Sequence, residues 1–164
     1  MVEMKIFGLA LDEQSQVPLL ILKDTEDKQV LPIWIGAMEA MAISISLNKV
    51  SISRPLTHDL MLHTLRTLGA VIERVHIVDL REGTYYAEIH LVHQDQTYLM
   101  DSRPSDAIAL AVRAKAPVFA AQSLLDRVAK QFDEDHEVVL KDEESARWTE
   151  FLEKFDADDS KYTM

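Results

Sequence analysis

The chain has 164 residues, 48% of them hydrophobic, with a formal net charge of −11 and no cysteine. That length and apolar share suit one domain with a real core, and the missing cysteine excludes disulfides, thiolate metal sites and a cysteine nucleophile. The charge is uneven: residues 1–130 hold 13 Lys+Arg against 16 Asp+Glu, and residues 131–164 hold 4 against 12. The body therefore lacks the basic stripe that tracks a nucleic-acid backbone, and any nucleic acid it handles is expected to be held weakly.

From the start, residues 3–11 and 17–23 read as strands around the polar turn Asp12-Glu13-Gln14-Ser15-Gln16. A third strand, Gln29-Val30-Leu31-Pro32-Ile33-Trp34-Ile35, belongs near a sheet edge, because Pro32 has no N–H to give a ladder. Gly36 ends it. The segment from Ala37 to Leu47 is a helix apolar all round, predicted to be buried on most sides. A second helix, after Thr57-His58-Asp59, carries Leu60, Leu62, Leu65 and Leu68 as its apolar face, and Gly69 stops it. Val71–Leu80, Thr84–Val92 and Gln96–Asp101 are three more strands, joined by turns at Arg81-Glu82-Gly83 and His93-Gln94-Asp95. The helix Ser105–Lys115, a short extended piece at Pro117-Val118-Phe119-Ala120 and a helix over Gln122–Lys130 complete the body.

Three strands followed by a helix thus occur twice, with Glu39-Ala40-Met41-Ala42 and Asp106-Ala107-Ile108-Ala109 at equivalent places. The predicted fold is mixed α/β (α+β): two β-β-β-α-like halves sharing a mixed sheet with flanking helices. Domain 1–130 is followed by an acidic tail, 131–164, with one amphipathic helix bearing Trp148, Phe151, Leu152 and Phe155. The first residues lack a basic segment leading into a long apolar stretch, and no apolar run reaches a membrane span. The expected setting is cytoplasmic, away from membranes.

Two segments share one grammar: Arg54-Pro55-Leu56-Thr57-His58-Asp59 and Asp101-Ser102-Arg103-Pro104-Ser105-Asp106. Each sets an arginine, a proline, a hydroxyl and a carboxylate ahead of a helix. One reading is structural: Thr57 caps its helix, Asp59, Ser105 and Asp106 complement the helix dipoles, and Arg103 pairs with Asp101. The other is chemical. Asp101 and Asp106 bracket a strand-to-helix junction where they can bind a divalent cation or act as a base, and Arg103 can meet phosphate charge. The imidazole of His58 suits proton transfer, although adjacent His58 and Asp59 do not face each other on a helix. Glu39, in an apolar segment, must find a partner, become protonated, or cap the helix after Gly36. No phosphate-binding glycine loop, dinucleotide fingerprint, His-x-x-x-His pair or serine elbow is present. His76, His90 and His93 show no metal-ligand spacing, and Met61, Met100 and the aromatics read as core.

Taken together, Leu31-Pro32-Ile33-Trp34-Ile35-Gly36 with Glu39-Ala40, the Arg54–Leu60 segment, and Asp101–Leu110 with Ala116-Pro117 resemble the bifunctional nuclease domain family across roughly residues 3–130. The resemblance implies a mixed α/β domain, degradation of RNA and DNA of low sequence specificity, a bacterial-type setting and self-association. It brings no assigned catalytic set, so roles are inferred from the matching motifs. Glu39, Asp101 and Asp106 are candidates for metal or base function; Arg54, Arg103 and Ser105 for holding phosphate; His58 and Asp59 are the remaining catalytic candidates, His58 for proton transfer. Magnesium or manganese is the expected ion if one is needed. The alternatives are a non-catalytic regulatory or scaffolding module and a small-anion or nucleotide-binding protein. The acidic tail does not look like the excision-repair helical motif that some family members carry.

Overall fold

A computed structural model describes residues 1–12 and 15–135; the tail helix expected around Trp148 to Phe155 lies outside the described residues. Seven strands form one mixed sheet, β1 (Val2–Leu11), β2 (Pro18–Asp24), β3 (Val30–Trp34), β4 (Val71–Arg81), β5 (Thr84–His93), β6 (Gln96–Ser102) and β7 (Val118–Ala120), in the order β3-β2-β1-β7-β4-β5-β6. The helices are α1 (Ala37–Leu47), α2 (Thr57–Thr67), α3 (Pro104–Ala114) and α4 (Gln122–Asp135). No helix among the described residues is long and apolar enough to cross a membrane.

The two three-stranded halves are as the sequence predicts, and β3 with its Pro32 is an edge strand. The short piece after Pro117 is what joins them. β7 runs antiparallel to β1, with Met4 opposite Val118, and parallel to β4, with Val75 opposite the same Val118. Both second-half hairpins turn through two residues of positive φ, Glu82-Gly83 and Gln94-Asp95, the twist that matches paired strands.

Alternation along the strands puts Leu20, Leu22, Leu31, Ile33, Val75, Ile77, Ala87 and Ile89 on one face. Ile43 of α1, Ile108 and Leu110 of α3, and Leu124 and Val128 of α4 complete a single core with them. The helices lie on this face, with α1 and α2 against α3. Two expectations are corrected. Helix α1, packed on α3 and β2, buries Ala40, Ile43 and Ser44, whereas Met41, Ala42, Ile45 and Ser46 are half-buried and Met38 is exposed. On α2, which packs on α3, Leu62 is buried and Leu65 packs on the core, but Leu60 and Leu68 stay exposed. Phe7, Trp34, Met61 and Tyr98, read from sequence as core, are also exposed, because they sit on the other sheet face, an edge or the outer side of α2.

Candidate active site

The first turns of three helices meet. Counted from the capping residues Gly36, Leu56 and Arg103, the third helical residue of α1, α2 and α3 is in each case an acid: Glu39, Asp59 and Asp106. A carboxylate there faces the positive end of the helix dipole. Pro104 opens α3 at its first helical position, where a missing N–H does no harm. Helix α2 is capped by Leu56, not by Thr57 as expected. The Leu56 N–H donates to Asp59 Oδ2 at 2.9 Å, and this back-bond from the first turn sets the helix start one residue earlier.

Arg103 stands between two of these acids. Its Nε donates to Asp106 Oδ2 at 2.7 Å and its Nη2 to Asp106 Oδ1 at 3.1 Å, while Nη1 donates to Glu39 Oε1 at 3.0 Å. Asp106 Oδ1 also lies 3.2 Å from His58 Nε2. Both proline-led segments and the start of α1 therefore come together around one guanidinium. Burial alone would push the Asp106 carboxyl up, but hydrogen bonds and charge from Arg103 and His58 bring it below the usual carboxylate value. Asp106 is thus an anion that only accepts. In the neutral imidazole, His58 Nε2 must carry the proton, which leaves Nδ1 with the lone pair. The Arg103 side chain is 64% exposed, so this cation faces solvent.

Asp59 is occupied differently. Its Oδ1 accepts from Arg113 Nε at 2.7 Å, and Arg113, 5% exposed, also donates to the carbonyls of Ala109 and Ala42. One buried guanidinium so links α1, α2 and α3. Burial would raise the Asp59 carboxyl, but the Arg113 and Leu56 bonds hold it low.

The other sequence candidates fall outside this knot. Arg54 is exposed and makes no ion pair with any described residue. Ser105 is buried, whereas Arg103 in the same junction is exposed. Asp101 lies opposite Glu88 on β5, and strand alternation turns it to the helix-free face, away from Asp106.

That face holds a group the sequence reading missed. His76, Glu88 and His90 bring ligand atoms within 4.8 Å of one another, which corrects the view that these histidines lack ligand geometry. A bulge between Ile77 and Asp79 shifts the β4–β5 register so that His76 stands opposite Glu88. Carried back unbroken from the turn pair Arg81–Thr84, the register would set His76 against Ile89 instead.

The profile of the Bifunctional nuclease domain matches residues 20–133, a stretch that contains Glu39, His58, Arg103 and Asp106. An uncharacterized protein of Mycobacterium tuberculosis is 34% identical over 165 residues, covering 98% of this chain and 99% of its own. Bifunctional nuclease 2 of Oryza sativa subsp. japonica is 27% identical over 121 residues, 71% of this chain and 37% of the rice protein. Bifunctional nuclease 1 of Arabidopsis thaliana is 26% identical over 115 residues, 68% of this chain and 35% of the plant protein. The chain thus matches little more than a third of the length of these plant relatives. Matched over most of its length, the chain belongs to the bifunctional nuclease domain family.

Proposed function

We propose that this protein is a low-specificity nuclease hydrolysing phosphodiesters of RNA and DNA at the cluster of Glu39, His58, Arg103 and Asp106. The observation that carries this reading is the meeting of three helix N-termini on an exposed arginine. Oriented N–H groups and a guanidinium favour a phosphate there, and they favour most the extra negative charge of its transition state. His58, oriented through Nε2 by Asp106, takes a proton from the attacking water at Nδ1 as the oxygen–phosphorus bond forms. The bond to the leaving oxygen then breaks, and His58 returns the proton to it. Glu39 keeps Arg103 aimed, Asp59 positions α2, and exposed Arg54 meets a neighbouring phosphate. Weak substrate binding accords with the near-neutral body and suits an enzyme that releases its product.

Magnesium or manganese suits the oxygen donors Glu39 and Asp106. Arg103 bridges these two carboxylates, so an ion at this place must turn the guanidinium outward. Asp101, facing the other way, is left outside the set. Self-association finds support in β6, an edge strand whose Tyr98 and Leu99 are exposed.

The test is degradation of a single-stranded substrate by purified wild type, Arg103→Ala and Asp106→Asn, with and without chelator. Each substitution is expected to lower kcat/KM by about 10²-fold or more. Chelator sensitivity would assign a metal role. Equal cutting by wild type and both variants would contradict the assignment and favour the non-catalytic reading, in which these contacts only tie helix starts together.

A further inference from the structure

On the sheet face turned away from the helices, we propose that His76, Glu88 and His90 form a binding site for a divalent transition-metal ion of the zinc class. His76 and Glu88 pair directly across β4 and β5, and His90 follows two residues on, so the three side chains project from one face. The His76 and His90 rings are 4.0 Å apart between centroids, and His90 Nε2 is 3.8 Å from Glu88 Oε2. Ligand atoms around a tetrahedral ion with bonds of about 2.1 Å sit roughly 3.4 Å apart. Small side-chain rotations close the set to that size.

A second observation points to a ligand independently. The His90 side chain is 9% exposed, yet neither of its ring nitrogens has a hydrogen-bond partner among the described residues. Buried polar groups in native folds are rarely left so, and a metal ion supplies a partner for one of the two nitrogens. Phe119, edge-on to His76 at 5.5 Å, adds an apolar wall. Burial, with help from His90 and Arg74, holds His76 down to about 4, and burial and Arg74 lower His90 as well. Both rings therefore offer lone pairs at neutral pH, the form that ligates.

Two imidazoles and a carboxylate select zinc and its first-row neighbours over magnesium or calcium, which prefer all-oxygen sets. Three protein ligands leave a fourth position for water. The register also places Asp101 beside Glu88 on the same face, where it adds negative charge. Arg74 works against the ion. Its Nε donates to His76 Nε2 at 3.2 Å while Nη1 pairs with Glu73, so a metal competes with this guanidinium for His76. The site lies across the sheet from Arg103 and stands or falls separately from the nuclease reading.

The experiment is calorimetric titration of the full chain, stripped with chelator, with Zn²⁺ or Mg²⁺, folding being checked by circular dichroism. Co²⁺ in place of Zn²⁺ reports coordination through its visible absorption. One Zn²⁺ per chain is expected, with no comparable uptake of Mg²⁺. Glu88→Gln and His76→Asn should weaken Zn²⁺ binding roughly tenfold or more. Arg74→Gln should tighten it, and His63→Asn, a substitution on the exposed side of α2, should leave it unchanged. A folded wild type that takes up no Zn²⁺ would overturn the proposal. So would Glu88→Gln and His76→Asn variants that bind as wild type does, since the ion would then be held elsewhere.

Discussion

Glu39 is the residue whose setting explains most about the cluster. Its carboxylate folds back over Gly36 while reaching Arg103, so closely that a Cβ on Gly36 would clash with Glu39 Oε2. Gly36 has φ −72°, which any residue adopts, so the need for glycine here is one of space and not of backbone strain. The clashing atom is the far end of a flexible side chain. Gly36→Ala should therefore cost little stability, within about 1 kcal/mol, while turning the Glu39 carboxylate off Arg103. The expected outcome is a loss of nuclease activity matching that of Glu39→Gln at nearly unchanged Tm; a fully active Gly36→Ala would show that Glu39 has no part in aiming Arg103. Sequence alone marked Glu39 as a carboxylate needing a partner or a cap. It could not say that the partner is Arg103, 64 residues away, because that contact depends on how α1 and α3 pack.

The helix starts were legible as elements, since Pro104, the first-turn acids and Gly69 each act within a turn of their own position. Contacts between elements were not. Arg113 reads in sequence as an ordinary basic residue near a helix end, yet it is the buried tie among α1, α2 and α3. Arg113→Ala removes charge-assisted bonds to the Asp59 carboxylate and to the Ala42 and Ala109 carbonyls. Because Asp59 is partly exposed and keeps some hydration, the loss should be about 2–3 kcal/mol, below the figure for a fully buried pair. Urea unfolding of the variant measures it, and a change under about 0.5 kcal/mol would contradict the tie. The β4–β5 hairpin makes the same point about register. Its turn residues were evident, but the bulge after Ile77 was not. The signal was there: only a one-residue slip sets Val75 and Ile77 on the same face as Ala87 and Ile89.

Across the whole molecule, the sheet joins two similar halves through three residues of β7, and a long-range bond supplements that seam. Tyr85 of β5 donates its hydroxyl to the Pro32 carbonyl of edge strand β3 at 2.9 Å, and burial pushes the Tyr85 hydroxyl up to about 12. The unfolded chain ionises this group near 10. Its contribution is therefore complete below pH 10 and is lost as pH rises towards 12. Tyr85→Phe should cost about 1 kcal/mol at neutral pH and flatten this alkaline limb, as seen in denaturant midpoints measured across that range. An unchanged limb would place its origin in other groups.

In the proposed mechanism, His58 and Asp106, delivered from two separate helix starts, act as one proton-transfer unit beside Arg103. A double-mutant cycle on phosphodiester cleavage measures this directly. His58→Ala and Asp106→Asn should each lower kcat by roughly 10²-fold, and the double variant should be little worse than the weaker single one, as for residues that work together. Fully additive losses, or a His58→Ala enzyme as fast as wild type, would show that the two residues do not work as a pair.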